Sequence, residues 1–182
     1  MTDKSQSAII EAAFSVLSKT PAATLADIAK AAGVGRATLH RHFSGRADLI
    51  SALARIAMAE LDAAIDAATK DARSYSHGLE LTLQASIQLA DRQWFLANET
   101  FDNAPDIAAA YIASRKELEA AIDQAKKEGT VAVDLPTSWV AGTFEALIYV
   151  AWEQVQNEEL TPKQATALAW RTFTSAMMEV SK

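Results

Sequence analysis

A chain of 182 residues, half of them apolar and with only six glycines and four prolines, is long enough to bury a sizeable core and too hydrophobic to remain disordered. The absence of cysteine excludes disulfides and thiolate metal sites, and no apolar run reaches the ~18 residues that cross a bilayer. The net charge of −6 is uneven: residues 1–50 hold six Lys/Arg against four Asp/Glu, and residues 51–182 hold eleven against nineteen, an asymmetry that hints at two jobs. The polar start, MTDKSQSA, lacks the apolar stretch of a signal peptide, so the cytoplasm is the expected location and no membrane partner is expected.

Ala, Leu, Ile, Glu, Lys and Gln dominate, which favours helix, and no alternating strand-like run or Asn-Gly or Asp-Gly hairpin signal occurs. An all-α fold is expected. A first helix spans about Ser5 to Ser18, with Ile10, Ala13, Phe14 and Leu17 on one stripe. Thr24 is an N-cap with Asp27 at the third helical position, and a second helix, Leu25 to Ala32, buries Leu25, Ile28 and Ala29. Gly33 suits a left-handed residue just past that helix, and Val34 points inward from the turn. A third helix, Arg36 to His42, places Leu39 and Phe43 toward the same core, and Ser44-Gly45 breaks it. A fourth begins near Arg46, buries Leu49, Ile50, Leu53 and Ile56, and continues to about Asp71. Further helices are expected at about His77–Ala97, from Asp106 to Gly129, from Pro136 to Glu158, and from Pro162 onward, the last opened by Thr161 and Gln164 as a capping box.

Two short helices joined by a tight glycine-containing turn make a helix-turn-helix, whose second helix enters the major groove. With Ile28, Ala29, Val34, Leu39 and Phe43 locking the pair together, Arg36, Ala37, Thr38, His40 and Arg41 face outward. These types suit DNA: guanidinium for guanine edges or phosphate, hydroxyl for either, methyl for thymine. The run TLADIAKAAGVGRATLHRHFSGRADLISAL, residues 24–53, resembles the DNA-binding domain of TetR (tetracycline-repressor-like) transcriptional regulators. The resemblance covers residues 5–53 closely, and beyond them rests on length and helical layout. Gly35 stands where family members commonly have serine, Ala37 where they have glycine, His40 where they have a phosphate-binding tyrosine, and Arg46 where they have lysine. The expected DNA-contacting set is Lys4, Thr24, Gly35, Arg36, Ala37, Thr38, His40, Arg41 and Arg46. The competing reading of the arginines is a merely solvated face.

The resemblance implies two domains, a DNA-binding one at 1–48 and a larger one at 49–182 for ligand binding and dimerisation. It also implies a repressor released from a palindromic duplex operator by a small molecule. The expected dimer face takes Val140, Phe144, Leu147, Ile148, Ala151 and Val155 from one helix and Leu168, Phe173 and Met177 from the last. The alternative is that these stripes face the chain's own core. On the helix at 137–157, Glu145, Tyr149 and Trp152 share an arc turned away from that stripe. With Trp94, Phe95, Phe101 and Tyr111 they form a candidate effector pocket or, equally well, a filled core. Glu145 inside a pocket would favour a cationic or hydrogen-bond-donating ligand.

His40 and His42, two apart, cannot chelate one metal, and His42 is expected to cap or to pack beside Phe43. Carboxylate pairs such as Glu99 with Asp102 and Glu117 with Glu119 are expected by chance in so acidic a segment, and no catalytic signature accompanies them. No enzyme activity, cofactor or metal is expected. The rival to a DNA-binding regulator is a helical protein-interaction module without DNA binding.

Overall fold

Helical periodicity holds along the chain. The computed structural model describes residues 4–90, 92, 95, 97 and 104–178. Among these residues it forms eight helices: α1 (Lys4–Lys19), α2 (Leu25–Ala31), α3 (Arg36–His42), α4 (Arg46–Thr69), α5 (Tyr75–Gln88), α6 (Pro105–Lys127), α7 (Thr137–Gln156) and α8 (Pro162–Met177). The fold is all-α. The one extended contact among the described residues is an isolated antiparallel bridge between Val131 and Met178.

Local chemistry sets the helix ends. Thr24 and Asp27 close a reciprocal capping box at α2, and Thr161 and Gln164 close another at α8, where Pro162 takes the first helical position. Helix α5 starts two residues before the expected His77, because the Ser74 hydroxyl accepts the His77 N–H at 3.1 Å and the Glu128 carboxylate accepts the Tyr75 N–H at 3.0 Å. Gly33, at φ 66°, ends α2 in a Schellman motif: its N–H reaches the Lys30 carbonyl, and the Val34 N–H reaches that of Ala29. Helix α7 ends with the same pair of bonds, but Glu158 occupies the left-handed position at φ 59°.

Two main cores result. The first joins Ile9, Phe14 and Leu17 of α1, Ile28 of α2, Leu39 of α3, Phe43, and Leu49, Ile50, Leu53 and Ala57 of α4. The border expected at 48/49 thus falls inside α4, whose first three turns belong to the N-terminal core. Phe95, from the segment after α5, completes that core, its ring edge-on to Phe14 at 5.6 Å. The second core gathers Leu79, Leu83 and Ile87 of α5, Ile122 of α6, Val140, Phe144 and Ile148 of α7, and Phe173 and Met177 of α8.

Candidate nucleic-acid interface

The α2–α3 pair owes its rigidity to what it buries. Leu39 and Phe43 are nearly inaccessible, and Val34 packs against the same core, so α3 can present only its other side. Arg36, Ala37, His40 and Arg41 are exposed there, Thr38 sits half-buried at the edge of that face, and Gly35 is exposed at the N-cap. Lys30 of α2 and Lys4 at the start of α1 are also exposed. His42 does not join this face. Its Nε2 pairs with the Ser5 hydroxyl at 3.0 Å and its ring lies 6.5 Å from that of Phe43, tying α1 to the end of α3.

Two residues expected at DNA are engaged within the protein. The Thr24 hydroxyl donates to Asp27 at 2.7 Å and accepts the Asp27 N–H at 3.3 Å, so its hydrogen bonds serve the cap. Those bonds to Thr24 hold the exposed Asp27 carboxyl below its usual range. The Arg46 guanidinium donates to the Ala23 carbonyl at 2.5 Å and to the Pro21 carbonyl at 2.6 Å. It clamps the loop between α1 and α2, a use its basic character alone did not reveal.

The expected dimer stripe is corrected. Val140, Phe144, Ile148, Ala151, Phe173 and Met177 lie in the chain's own second core, where the Phe144 and Phe173 rings meet edge-on at 5.3 Å. Leu147 and Val155 are half-buried against that core, and of the expected set only Leu168 is exposed. The outward side of α7 instead carries Trp139, Ala146 and Val150, with Trp139 63% and Val150 51% exposed.

The expected effector pocket is not assembled as a unit either. Trp94 and Phe101 lie outside the described residues. Phe95 is in the N-terminal core, Tyr111 is 60% exposed and Tyr149 is exposed. Trp152 packs on the second core and donates its indole N–H to the Ser86 carbonyl at 3.0 Å. Glu145 accepts from Arg115, which also binds Glu119 at 3.1 Å and the Ser138 carbonyl at 3.0 Å. Burial pushes the Glu145 carboxyl upward and Arg115 pulls it part of the way back. This acid braces α6 against α7.

The family model described as "Bacterial regulatory proteins, tetR family" matches residues 9–53, which hold the whole helix-turn-helix and the start of α4. The HTH-type transcriptional repressor LfrR of Mycolicibacterium smegmatis is 32% identical over 155 residues, covering 85% of this chain and 81% of the relative. The chain belongs to the tetR family. Two solved structures extend the likeness over nearly the full length. The TetR-like regulator LfrR from Mycobacterium smegmatis, in complex with proflavine, superposes with a TM-score of 0.78 at 26% identity, over 97% of this chain and 98% of that one. The ketosteroid transcriptional regulator KstR2 of Mycobacterium tuberculosis shares the fold, with a TM-score of 0.85 at 17% identity over 99% and 97% of the two chains. This TetR-family chain is therefore a DNA-binding transcriptional regulator, and its relatives are regulators rather than enzymes. Among the described residues no helix is long and apolar enough to cross a membrane.

The regulator also contains a groove that its sequence did not reveal. A cavity of about 860 Å³ lies between α4, α5 and α6, floored by Leu61, Ile65, Leu79 and Leu118. Helix α4 runs without a break from the N-terminal core to this groove. A second link is Arg92, after α5: it donates to Glu11 of α1 at 2.9 Å and to Glu60 of α4 at 3.0 Å, and its guanidinium stands 4.7 Å from the centre of the Phe14 ring.

Proposed function

We propose that this regulator is a repressor whose hold on a palindromic operator is released by a small molecule bound in its C-terminal half. Arg36 and Thr38 would read base edges, with the Ala37 methyl beside them. His40, Arg41, Lys4 and the Gly35 N–H would meet phosphate or sugar. The observation that carries the reading is the α3 face, exposed and basic in an acidic protein, held rigid by Leu39 and Phe43 beneath it.

The dimer would form through the outward side of α7, with Trp139, Ala146 and Val150, together with Leu168 on α8. Exposed apolar residues on two neighbouring helices suit a four-helix bundle with a second copy. Two-fold pairing would set the two α3 helices one turn of DNA apart, about 34–36 Å. The effector would occupy the α4–α5–α6 groove. Release requires that it bind the spread and the DNA-competent spacings with different affinity, and α4, shared by groove and N-terminal core, is the element able to convert one into the other. The relative solved with proflavine supports an effector of small-molecule size.

Selection of bound duplexes from a random library tests the reading. The expected result is an enriched inverted repeat whose binding falls steeply with salt. Failure to enrich any duplex would favour the interaction-module alternative.

A further inference from the structure

A second hollow, of about 380 Å³, lies between α2 and α3. Thr24, Leu25 and Ala26 line it from the start of α2, and Arg36, Leu39 and His40 line it from α3, so it shares two side chains with the exposed α3 face. Leu39 is buried and Leu25 and Ala26 are half-buried, which makes a hydrocarbon floor; Thr24, Arg36 and His40 are exposed at the rim. The Thr24 hydroxyl adds little polarity there, because it both donates to Asp27 and accepts from it. Leu25, which the periodicity of α2 assigns to the core, packs against that core with one side and lines the hollow with the other. The packing that fixes α3 therefore fixes the shape of the hollow as well.

We propose that this hollow receives the C5-methyl group of one thymine in each half-site of the operator, which makes Leu25 and Ala26 of α2 specificity-determining residues beside those of α3. The inference rests on the DNA reading above and narrows it to one base. Among the base edges of the major groove, the thymine methyl is the apolar group; the others are hydrogen-bond donors and acceptors. A hydrocarbon recess on a face that carries exposed Arg36 and Arg41, with Lys30 exposed on α2, suits an apolar group borne by a polyanion. A cytosine or a purine at the same place would set a polar edge or trapped water over Leu25 and Ala26 and lose the apolar burial. Arg36 and His40 stand one helical turn apart, about 5.4 Å, a span of about one to two base steps of ~3.4 Å. The thymine therefore lies within about two base pairs of the base that Arg36 reads. Ala37 presents another methyl on α3 but does not line the hollow, so the two contacts are separable.

The test replaces each thymine of the selected operator in turn by deoxyuridine, which removes the methyl and keeps every hydrogen bond of the base pair, and measures the affinity of the full chain for each duplex. One thymine per half-site, within about two base pairs of the position whose preference Arg36→Ala relaxes, is expected to cost about fourfold when replaced, the factor for burying one carbon group. Leu25→Ala enlarges the hollow and Ala26→Leu fills it. Each is expected to bring the thymine and deoxyuridine duplexes within about twofold of one another, because the methyl then loses its contact. The two duplexes are measured on one sample of each variant, so any loss of folded protein cancels from the ratio. A penalty that both variants leave at full size, or that Ala37→Gly alone removes, places the methyl elsewhere on α3 and overturns the inference. An operator that is bound tightly but is indifferent to every thymine methyl, as when the hollow holds a deoxyribose, also overturns it while the DNA reading stands. Failure to enrich any duplex defeats the DNA reading and the inference with it.

Discussion

We propose that Arg46 serves the DNA-binding domain by bracing a loop rather than by touching DNA. Its guanidinium binds two loop carbonyls between α1 and α2; the part-buried bond to Ala23 is charge-assisted and worth about 1.5–3 kcal/mol, and the exposed one to Pro21 adds little. Arg46→Ala should therefore lower unfolding stability by about 1–3 kcal/mol in a denaturant titration, while the dependence of DNA affinity on salt keeps its slope. A flatter slope with unchanged stability would return Arg46 to the phosphate-binding set. Asp62 makes a prediction in pH. Its folded carboxyl titrates above the unfolded range, so its ionisation opposes folding: the penalty is absent well below pH 4 and grows as the pH rises through the folded titration. The melting temperature of Asp62→Asn should therefore match the parent at acid pH and exceed it at neutral pH. A constant difference across that window would show that Asp62 feels neither the groove walls nor Asp66.

At the scale of elements, the ends of α7 and α2 differ by one residue type. Both close with Schellman bonds, but α2 has Gly33 in the left-handed position and α7 has Glu158. A side chain there costs about 1–2 kcal/mol, part of which a glycine returns as unfolded-chain entropy. Glu158→Gly should stabilise the protein by up to about 1 kcal/mol in chemical denaturation; a loss of stability would mean that the Glu158 side chain holds the turn. The helices themselves were legible in the chain, because capping residues and 3.6-residue periodicity are local: Thr24 with Asp27, Gly33, and Pro162 with Gln164 appear where expected. The partner of each face was not legible. The stripe from Val140 to Val155 announces burial, but periodicity is the same whether α8 of the same chain or a second copy covers it. The groove was hidden for a related reason: Asp62, Tyr75 and Glu117 come from three helices, and only packing brings them together. The Asp62–Asp66 pair, one turn apart on one helix face, was the available hint.

At the scale of the molecule, α4 runs from the N-terminal core to the groove, while Arg92 and Phe95, after α5, pack against that core. In the proposed dimer a change of shape at the groove would become a change of spacing. Val150→Glu places a charge on the proposed α7 face but outside the second core, so it should leave the monomer folded by circular dichroism while halving the mass seen by sedimentation and abolishing tight operator binding. An unchanged mass would place the interface elsewhere.

Whether α3 reads DNA is tested most directly by the affinity of the full chain for its selected operator and for a scrambled duplex at one salt concentration, with and without Arg36→Ala. The operator should be held at least about 10³-fold more tightly than the scrambled duplex. Arg36→Ala should cost about 1–3 kcal/mol on the operator and much less on the scrambled duplex, narrowing that ratio. Equal affinity for both duplexes, or a ratio that Arg36→Ala leaves unchanged, would contradict reading by α3.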